Sequence, residues 1–458
     1  MNNHDWIELF DGRNLEHWHS DEVDAWSAVD GLLICRKTGV QLFSTGEAET
    51  LRNFELEMEV LAPLHSAGSL RFHARAAESS EANNGLEVVI SARQGDHCQA
   101  GSLRGLRPVY KRLVGENEWF TLRIAVSGKS VRVWLNDALL VDYVEPARPA
   151  EAGTRRCLGE GAIALCCSSE LSPRFRAIRL RRLSEIVAEQ PAVDETYRRV
   201  MACHRAGIPV IDLHVHLKSG LTLEQTLAKS RRDGIAHGIA VNCGKGFPVQ
   251  NDTAALEFCS GLGRAPVFAA MQAEGREWMQ MFSHRAAASF DYIFTDSMTW
   301  SDNRGRRMRL WIPGEVGEIA DPDEFMETLV ARAVAILEGE PIDIYVNPTF
   351  LPAVLAADYE RLWTESRMSR VIEAAARNQV AIELNDLYRL PSAQFVRLAK
   401  AAGCKFTLGT NNTGPDDLRR CEYGLETIER CGLAAGDFFV PGCGECKAIE
   451  RKGHLLQE

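Results

Sequence analysis

Near residue 184 the chain changes its rhythm, and no single-domain fold accommodates both halves. Up to about residue 183 it reads as short strands with turn signals between them. In "FELEMEVLAP", Phe54, Leu56, Met58 and Val60 alternate with Glu55, Glu57 and Glu59, a period of two. "GSLRFHARA", "GLEVVISAR", "WFTLRIAVSG", "SVRVWLNDALLVDY", "GAIALCC" and "RFRAIRLRRL" continue the series, with Asn136-Asp137 as a hairpin tip. Repeated strands without crossover helices predict an antiparallel two-sheet β-sandwich over residues 1–183. Residues 184–207 read as linker and leading helix.

From residue 208 strand and helix alternate. Apolar runs at "IPVIDLHV", "HGIAVNC", "PVFAAMQ", "DYIFTD", "IDIYVNP", "VAIELN" and "KFTLGT" are separated by helical stretches such as 221–234, 321–339, 368–379, 392–403 and 416–432, several ending in Gly. Seven such units over 208–442 predict a parallel α/β barrel, a distorted, TIM-like (βα)7 arrangement, with an open doubly wound sheet as the competitor. Residues 443–458 form a tail.

A chain of 458 residues fits two such domains, and its formal charge of −11, without a basic block at either end, excludes nucleic acid and anionic membranes as partners. The start, "MNNHDWIELFDG", shows no signal peptide, and no stretch reaches transmembrane length. Thirteen cysteines, an odd number and many in apolar runs, suit reduced thiols in a bacterial-type cytoplasm. The expected partner is a small molecule, and the sequence admits a homo-oligomer.

Barrels build their sites at the carboxyl ends of the strands, where the loops converge. There the strands place Asp212, His214, His216 and Lys218; Asn242; Gln272 and Glu274; Asp296; Asn347; Glu383 and Asn385; and Thr410, Asn411 and Asn412. "DLHVHLKSG", "IDIYVNP", "AIELN" and "TLGTNNTG" make residues 208–442 resemble, remotely, the polymerase-and-histidinol-phosphatase superfamily of metal-dependent phosphoesterases. The resemblance implies a trinuclear metal site. Asn242-Cys243 stand where that superfamily has Asp-His, Asn347-Pro348 where it has His-Pro, and Asn411 and Thr413 where it has Asp-x-His.

The strong ligands that remain are His214, His216, Asp296, and Glu274 or Glu277, enough for one Zn²⁺ or Mn²⁺. Two readings stay open: a single divalent metal, with Glu274 as ligand or base and Lys218 opposing developing negative charge, or a metal-free polar pocket. In the second, Lys218, Asn242, Gln272, Asn347, Glu383, Asn385 and Asn411 meet a polyhydroxylated ligand, because amides both donate and accept.

In the first half, "WIELFDGRNLEHWH", "WSAVDGLLIC", "GSLRFHAR", "GLEVVI" and "NEWFTLRIAVSG" resemble the 3-keto-disaccharide hydrolase domain, a concanavalin-like jelly roll. The resemblance implies sugars oxidised at carbon 3, whose ketone acidifies the neighbouring proton so that a base removes it and the glycosidic oxygen leaves. Candidate groups are Glu87, in an apolar strand where burial tunes a base, with Arg71, Asp96 and His97. The alternative is a cross-strand Glu87–Arg71 ion pair. Val89 and Ala92 stand where that family carries Gln and Asp. Trp18, Trp26, Trp119 and Trp134 are candidates for stacking on sugars or for the core.

"NRGRRMRLW", residues 303–311, is a basic run after the fourth barrel strand, and Cys443 to Cys446 form a lone Cys-x-x-Cys. Together these features predict a carbohydrate-processing hydrolase or lyase. The alternatives are catalysis in the sandwich on a barrel scaffold, or a non-catalytic sugar-binding or assembly protein.

Overall fold

The computed structural model describes residues 6–63, 66–74, 85–91, 97–147, 157–301, 307–444, 446–453 and 456. The chain divides into two compact units. One comprises Met1–Gly207 with Ala228–Gly234 and Arg264–Pro266, and the other holds the remainder.

The first unit is an antiparallel sandwich of an eight-stranded and a five-stranded sheet. At the centre of the larger sheet, Phe54–Leu61 pairs with Trp119–Ser127 on one side and Arg174–Arg182 on the other. The alternation in this strand works as its sequence implies. Phe54, Leu56, Met58 and Val60 enter the core, while Glu55, Glu57 and Glu59 hydrogen-bond Arg181, Arg179 and Arg176 on the outer face. Leu70, Phe72, Val88, Ile163 and Leu165 from the smaller sheet close the core from the other side. Trp18 and Trp26 are core residues. Half-buried Trp119 and Trp134 lie under the guanidiniums of Arg176 and Arg123, at 4.0 and 4.1 Å. The hairpin at Asn136-Asp137 is present, with Leu135 opposite Ala138 and Asn136 at φ 52°. A helix, Glu195–Arg205, follows the strands, capped by the Asp194 carboxylate on the Tyr197 amide.

The second unit contains a closed barrel of seven parallel strands: Ile211–His216, Ala236–Cys243, Phe268–Ala273, Tyr292–Thr295, Ile344–Tyr345, Ala381–Asn385 and Phe406–Gly409. Asp212 of the first strand pairs with Leu408 of the last, and this closure excludes the open sheet. Helices Leu223–Asp233, Asp252–Leu262, Pro322–Gly339, Glu365–Arg377, Ala393–Ala401 and Glu422–Cys431 join the strands. The last begins later than the sequence suggests. Asp417 captures the amides of Thr413 and Gly414 in a turn, and Cys421 at φ 54° breaks the helical path before Glu422. Beyond the fourth strand, part of the basic run pairs as Arg307–Arg309 with Thr299–Ser301. In the carboxy-terminal tail, Ala448–Lys452 is helical, and buried Asp343 accepts the Ala448 amide at 2.7 Å. Among the described residues no helix is long and apolar enough to cross a membrane. The thirteen cysteines are free thiols.

Candidate active site

The sixth barrel strand brings Glu383 against the first. Its carboxylate accepts from three donors at once: His214 Nδ1 at 2.6 Å on Oε1, and the Asn347 amide and Asn385 Nδ2, each at 2.9 Å, on Oε2. Glu383 and His214 are each about 1% exposed. Such a set of donors fixes the carboxylate and orients the imidazole with its proton on Nδ1. The other ring nitrogen, His214 Nε2, is buried and makes no hydrogen bond. Phe294 packs on the ring, with centroids 4.6 Å apart.

Room for this pair depends on Gly409. A Cβ there would lie 2.1 Å from Glu383 Oε1 and 2.9 Å from His214 Cβ. The Asn347 backbone, at φ 49°, turns its amide onto Glu383 while its side chain bridges outward. Asn347 Nδ2 donates to Asp296 Oδ2 at 3.2 Å, and Asn347 Oδ1 accepts from Asn385 Nδ2 at 2.9 Å. Asp296 also accepts the Met298 amide, and burial pushes its carboxyl above the ordinary range.

A second network is centred on Glu274. Asn242 and Gln272 stand opposite each other in register, and both donate to Glu274 Oε1, at 2.8 and 3.1 Å. Gln272 Oε1 is buried without a partner. The Lys218 side chain is exposed, and partial desolvation of its amine lowers its ammonium while the negative charge of Glu274 opposes that shift.

Other strand-end groups have structural roles. Asp212 accepts the His214 and Thr410 amides and the Thr410 hydroxyl, tying first strand to last. Asn412 clamps His216 by accepting its amide and donating to its carbonyl. Asn411, at φ 51°, donates its backbone amide to the His214 carbonyl.

The metal set expected from the sequence is not assembled. His216 Nδ1 donates to the Ala240 carbonyl, and burial holds its imidazole neutral, well below its usual range. Asp296 and Glu274 belong to separate amide networks. Exposed Glu277 accepts the Arg276 amide at a short helix start. Among the described residues no group of three His, Cys, Asp or Glu side chains could hold a metal ion. Cys243 is no nucleophile candidate, since burial pushes its thiol up.

In the sandwich, Glu87 stands opposite Arg71 in register, 3.7 Å from its guanidinium, and Arg104 Nε donates to Glu87 at 2.9 Å. The Glu87 side chain is 20% exposed, so the enclosed base expected of an apolar strand is replaced by a carboxylate held between two cations. Arg104, absent from the sequence reading, is brought there by the bond of its amide to the Glu87 carbonyl. His97 is half-buried in the loop beyond this strand. Asp96 and Ala92 lie outside the described residues.

Residues 5–181 match the family of 3-keto-alpha-glucoside-1,2-lyase-like domains. They form a 3-keto-disaccharide hydrolase-like domain. The match covers less than half of the chain and stops short of the barrel. Among solved structures, two proteins from Parabacteroides distasonis described as glycosyl hydrolases are 14% and 21% identical. Each covers 39% of this chain, and 94% and 99% of its own, with TM-scores of 0.34 and 0.32. The carbohydrate-binding module CBM66 from Bacillus subtilis is 16% identical over 36% of this chain and 95% of its own, with a TM-score of 0.27. A search of curated proteins finds no match.

Proposed function

We propose that the chain is a carbohydrate-processing hydrolase or lyase acting on a carbonyl-bearing glycoside of the 3-keto class, with acid–base chemistry in the barrel. One observation carries this reading: a buried imidazole whose Nδ1 is hydrogen-bonded to the Glu383 carboxylate and whose Nε2 has no partner. That is the arrangement of a general base. Next to a ketone, His214 Nε2 takes the α-proton, and the carbon–oxygen bond one position further on breaks. Half-buried Asp296, raised toward its protonated form, supplies the proton to the departing oxygen. Asn242, Gln272 and Asn411 are assigned to the sugar hydroxyls, and Asn385 holds Glu383 and Asn347 in place. No step passes through a metal. The family of the amino-terminal domain supports the substrate class.

A second reading keeps the chemistry in the sandwich, where Glu87 between Arg71 and Arg104 could meet a ketone's oxygen and its neighbouring proton. The test is deuterium exchange at carbon 2 of methyl 3-keto-α-D-glucopyranoside in D₂O, followed by NMR. The barrel reading expects exchange in wild type and Glu87→Gln but not in His214→Gln. Loss in Glu87→Gln alone moves catalysis to the sandwich. Binding of the sugar without exchange in any form leaves a sugar-binding protein.

A further inference from the structure

Four side chains at the ends of the fourth, fifth and sixth barrel strands hydrogen-bond in a line: Glu383, Asn385, Asn347 and Asp296. Strand pairing brings them together. Thr295 stands in register with Tyr345, and Tyr345 with Ile382. The Val346 amide extends the first pairing by donating to the Thr295 carbonyl at 3.0 Å, so Asp296 and Asn347 leave neighbouring strands side by side. Asn347 and Asn385 are buried, and Asp296 is half-buried.

The line has a direction, and a backbone amide sets it. The Tyr388 amide can only donate, and it donates to Asn385 at 2.9 Å, so the atom there is Asn385 Oδ1. Asn385 Nδ2 then faces the other way and donates to Glu383 Oε2 and to Asn347, each at 2.9 Å. The Asn347 atom that accepts is Oδ1, which leaves Nδ2 to donate to Asp296 Oδ2 at 3.2 Å. Asp296 Oδ1 accepts the Met298 amide at 2.8 Å. Both oxygens of Asp296 thus accept from the protein, and a proton on this carboxyl has to use a lone pair that faces neither donor. The backbone of the same Asn347, at φ 49°, gives its amide to Glu383. One residue serves the base with its main chain and the acid with its side chain.

We propose that Asn347 is the positioning residue of the acid: its side-chain amide, oriented by Asn385, holds Asp296 so that the carboxyl proton is presented to the departing glycosidic oxygen. This deepens, and rests on, the acid–base reading of the barrel site. In the step concerned, His214 Nε2 takes the proton from carbon 2, and the electron pair forms the enolate. That pair then makes the double bond between carbons 1 and 2 as the bond from carbon 1 to oxygen breaks. The electrons of the broken bond stay on the leaving oxygen, which takes the Asp296 proton. No oxidant or reductant is needed. A methoxy group needs that proton in order to leave, whereas 4-nitrophenolate is stable as an anion and departs without it.

Glycine adopts the left-handed backbone of position 347 readily, so Asn347→Gly removes the side-chain amide while the main-chain amide stays on Glu383. Cleavage of methyl and 4-nitrophenyl 3-keto-α-D-glucopyranoside is measured on the full-length chain as wild type, Asn347→Gly, Asp296→Asn and the double variant. The proposal expects the ratio of 4-nitrophenyl to methyl cleavage to rise about tenfold or more in Asn347→Gly, part of the roughly 10²–10⁴ that a positioned acid contributes. In the double variant it rises no further than in Asp296→Asn alone, because Asn347 acts through Asp296. Equal slowing of both substrates in Asn347→Gly, with the ratio shifted in Asp296→Asn, overturns the proposal and leaves Asp296 as the acid. A further rise in the double variant overturns it too. A ratio unmoved by Asp296→Asn removes that acid and the proposal with it. Wild type that cleaves neither glycoside overturns both, and carbon-2 exchange then shows whether the base survives. Circular dichroism matched to wild type separates lost chemistry from lost fold, and Asn347→Ala, which keeps the Cβ, gives the same ratio should the glycine variant unfold.

Discussion

Replacing Glu383 by Gln tests the dyad at its most specific point. In the native site one carboxylate oxygen faces His214 Nδ1–H, and the other faces the donors of Asn347 and Asn385. A carboxamide offers a single oxygen. Turned toward the two asparagine donors, it presents its NH₂ to His214 Nδ1. The imidazole then relieves the donor–donor clash by moving its proton to Nε2, where Nδ1 accepts instead. The fold loses a charge-assisted hydrogen bond and leaves the Nε2–H a buried donor without an acceptor, so the expected stability loss is about 2–5 kcal/mol. The chemistry loses far more, because Nε2 now carries the proton it is meant to receive. Tautomer reversal of this kind in a carboxylate–imidazole pair costs roughly three to four powers of ten in rate, about 4–5 kcal/mol of barrier. The assay is carbon-2 exchange beside urea unfolding, with ¹⁵N NMR of labelled histidine to read the tautomer. A variant within tenfold of wild type, or one whose His214 keeps its proton on Nδ1, refutes the reasoning.

Gly409→Ala places a methyl group against Glu383 and His214, with an expected cost of about 1–3 kcal/mol for overpacking and a loss of exchange to match, read by thermal unfolding and rate. Burial pushes Asp343 up to about 6 from 3.8, so across that window the folded chain keeps a proton that the unfolded chain releases. Its share of stability is therefore full below about pH 4 and falls by roughly 3 kcal/mol as pH rises through 6. Asp343→Asn removes that slope from the difference between urea curves at acid and neutral pH. Dialysis against a chelator leaves exchange unchanged; a loss that Zn²⁺ or Mn²⁺ restores would return His214 and His216 to a metal.

Much of the architecture was legible in the sequence because side-chain period follows directly from backbone geometry. The alternation of Phe54 to Val60 with three glutamates marked a strand with one buried face, and the seven apolar runs after residue 208 marked the strands of the second unit. Polar residues at the strand ends were legible too, since parallel strands place their last residues around one end. Their partners were not. His214 meets Glu383 across 169 positions, and Asp212 meets Thr410 across 198, because closure sets the first strand beside the last. Sequence alone offered His214, His216, Asp296 and Glu274 as one ligand set, since residue type is all that it displays. Tertiary structure decided which partner each of them meets: His214 meets Glu383, Asp296 meets Asn347, and Glu274 meets Asn242 and Gln272. Periodicity is a local property and can be read along the chain, whereas a ligand set or a base is defined by which groups are satisfied in space.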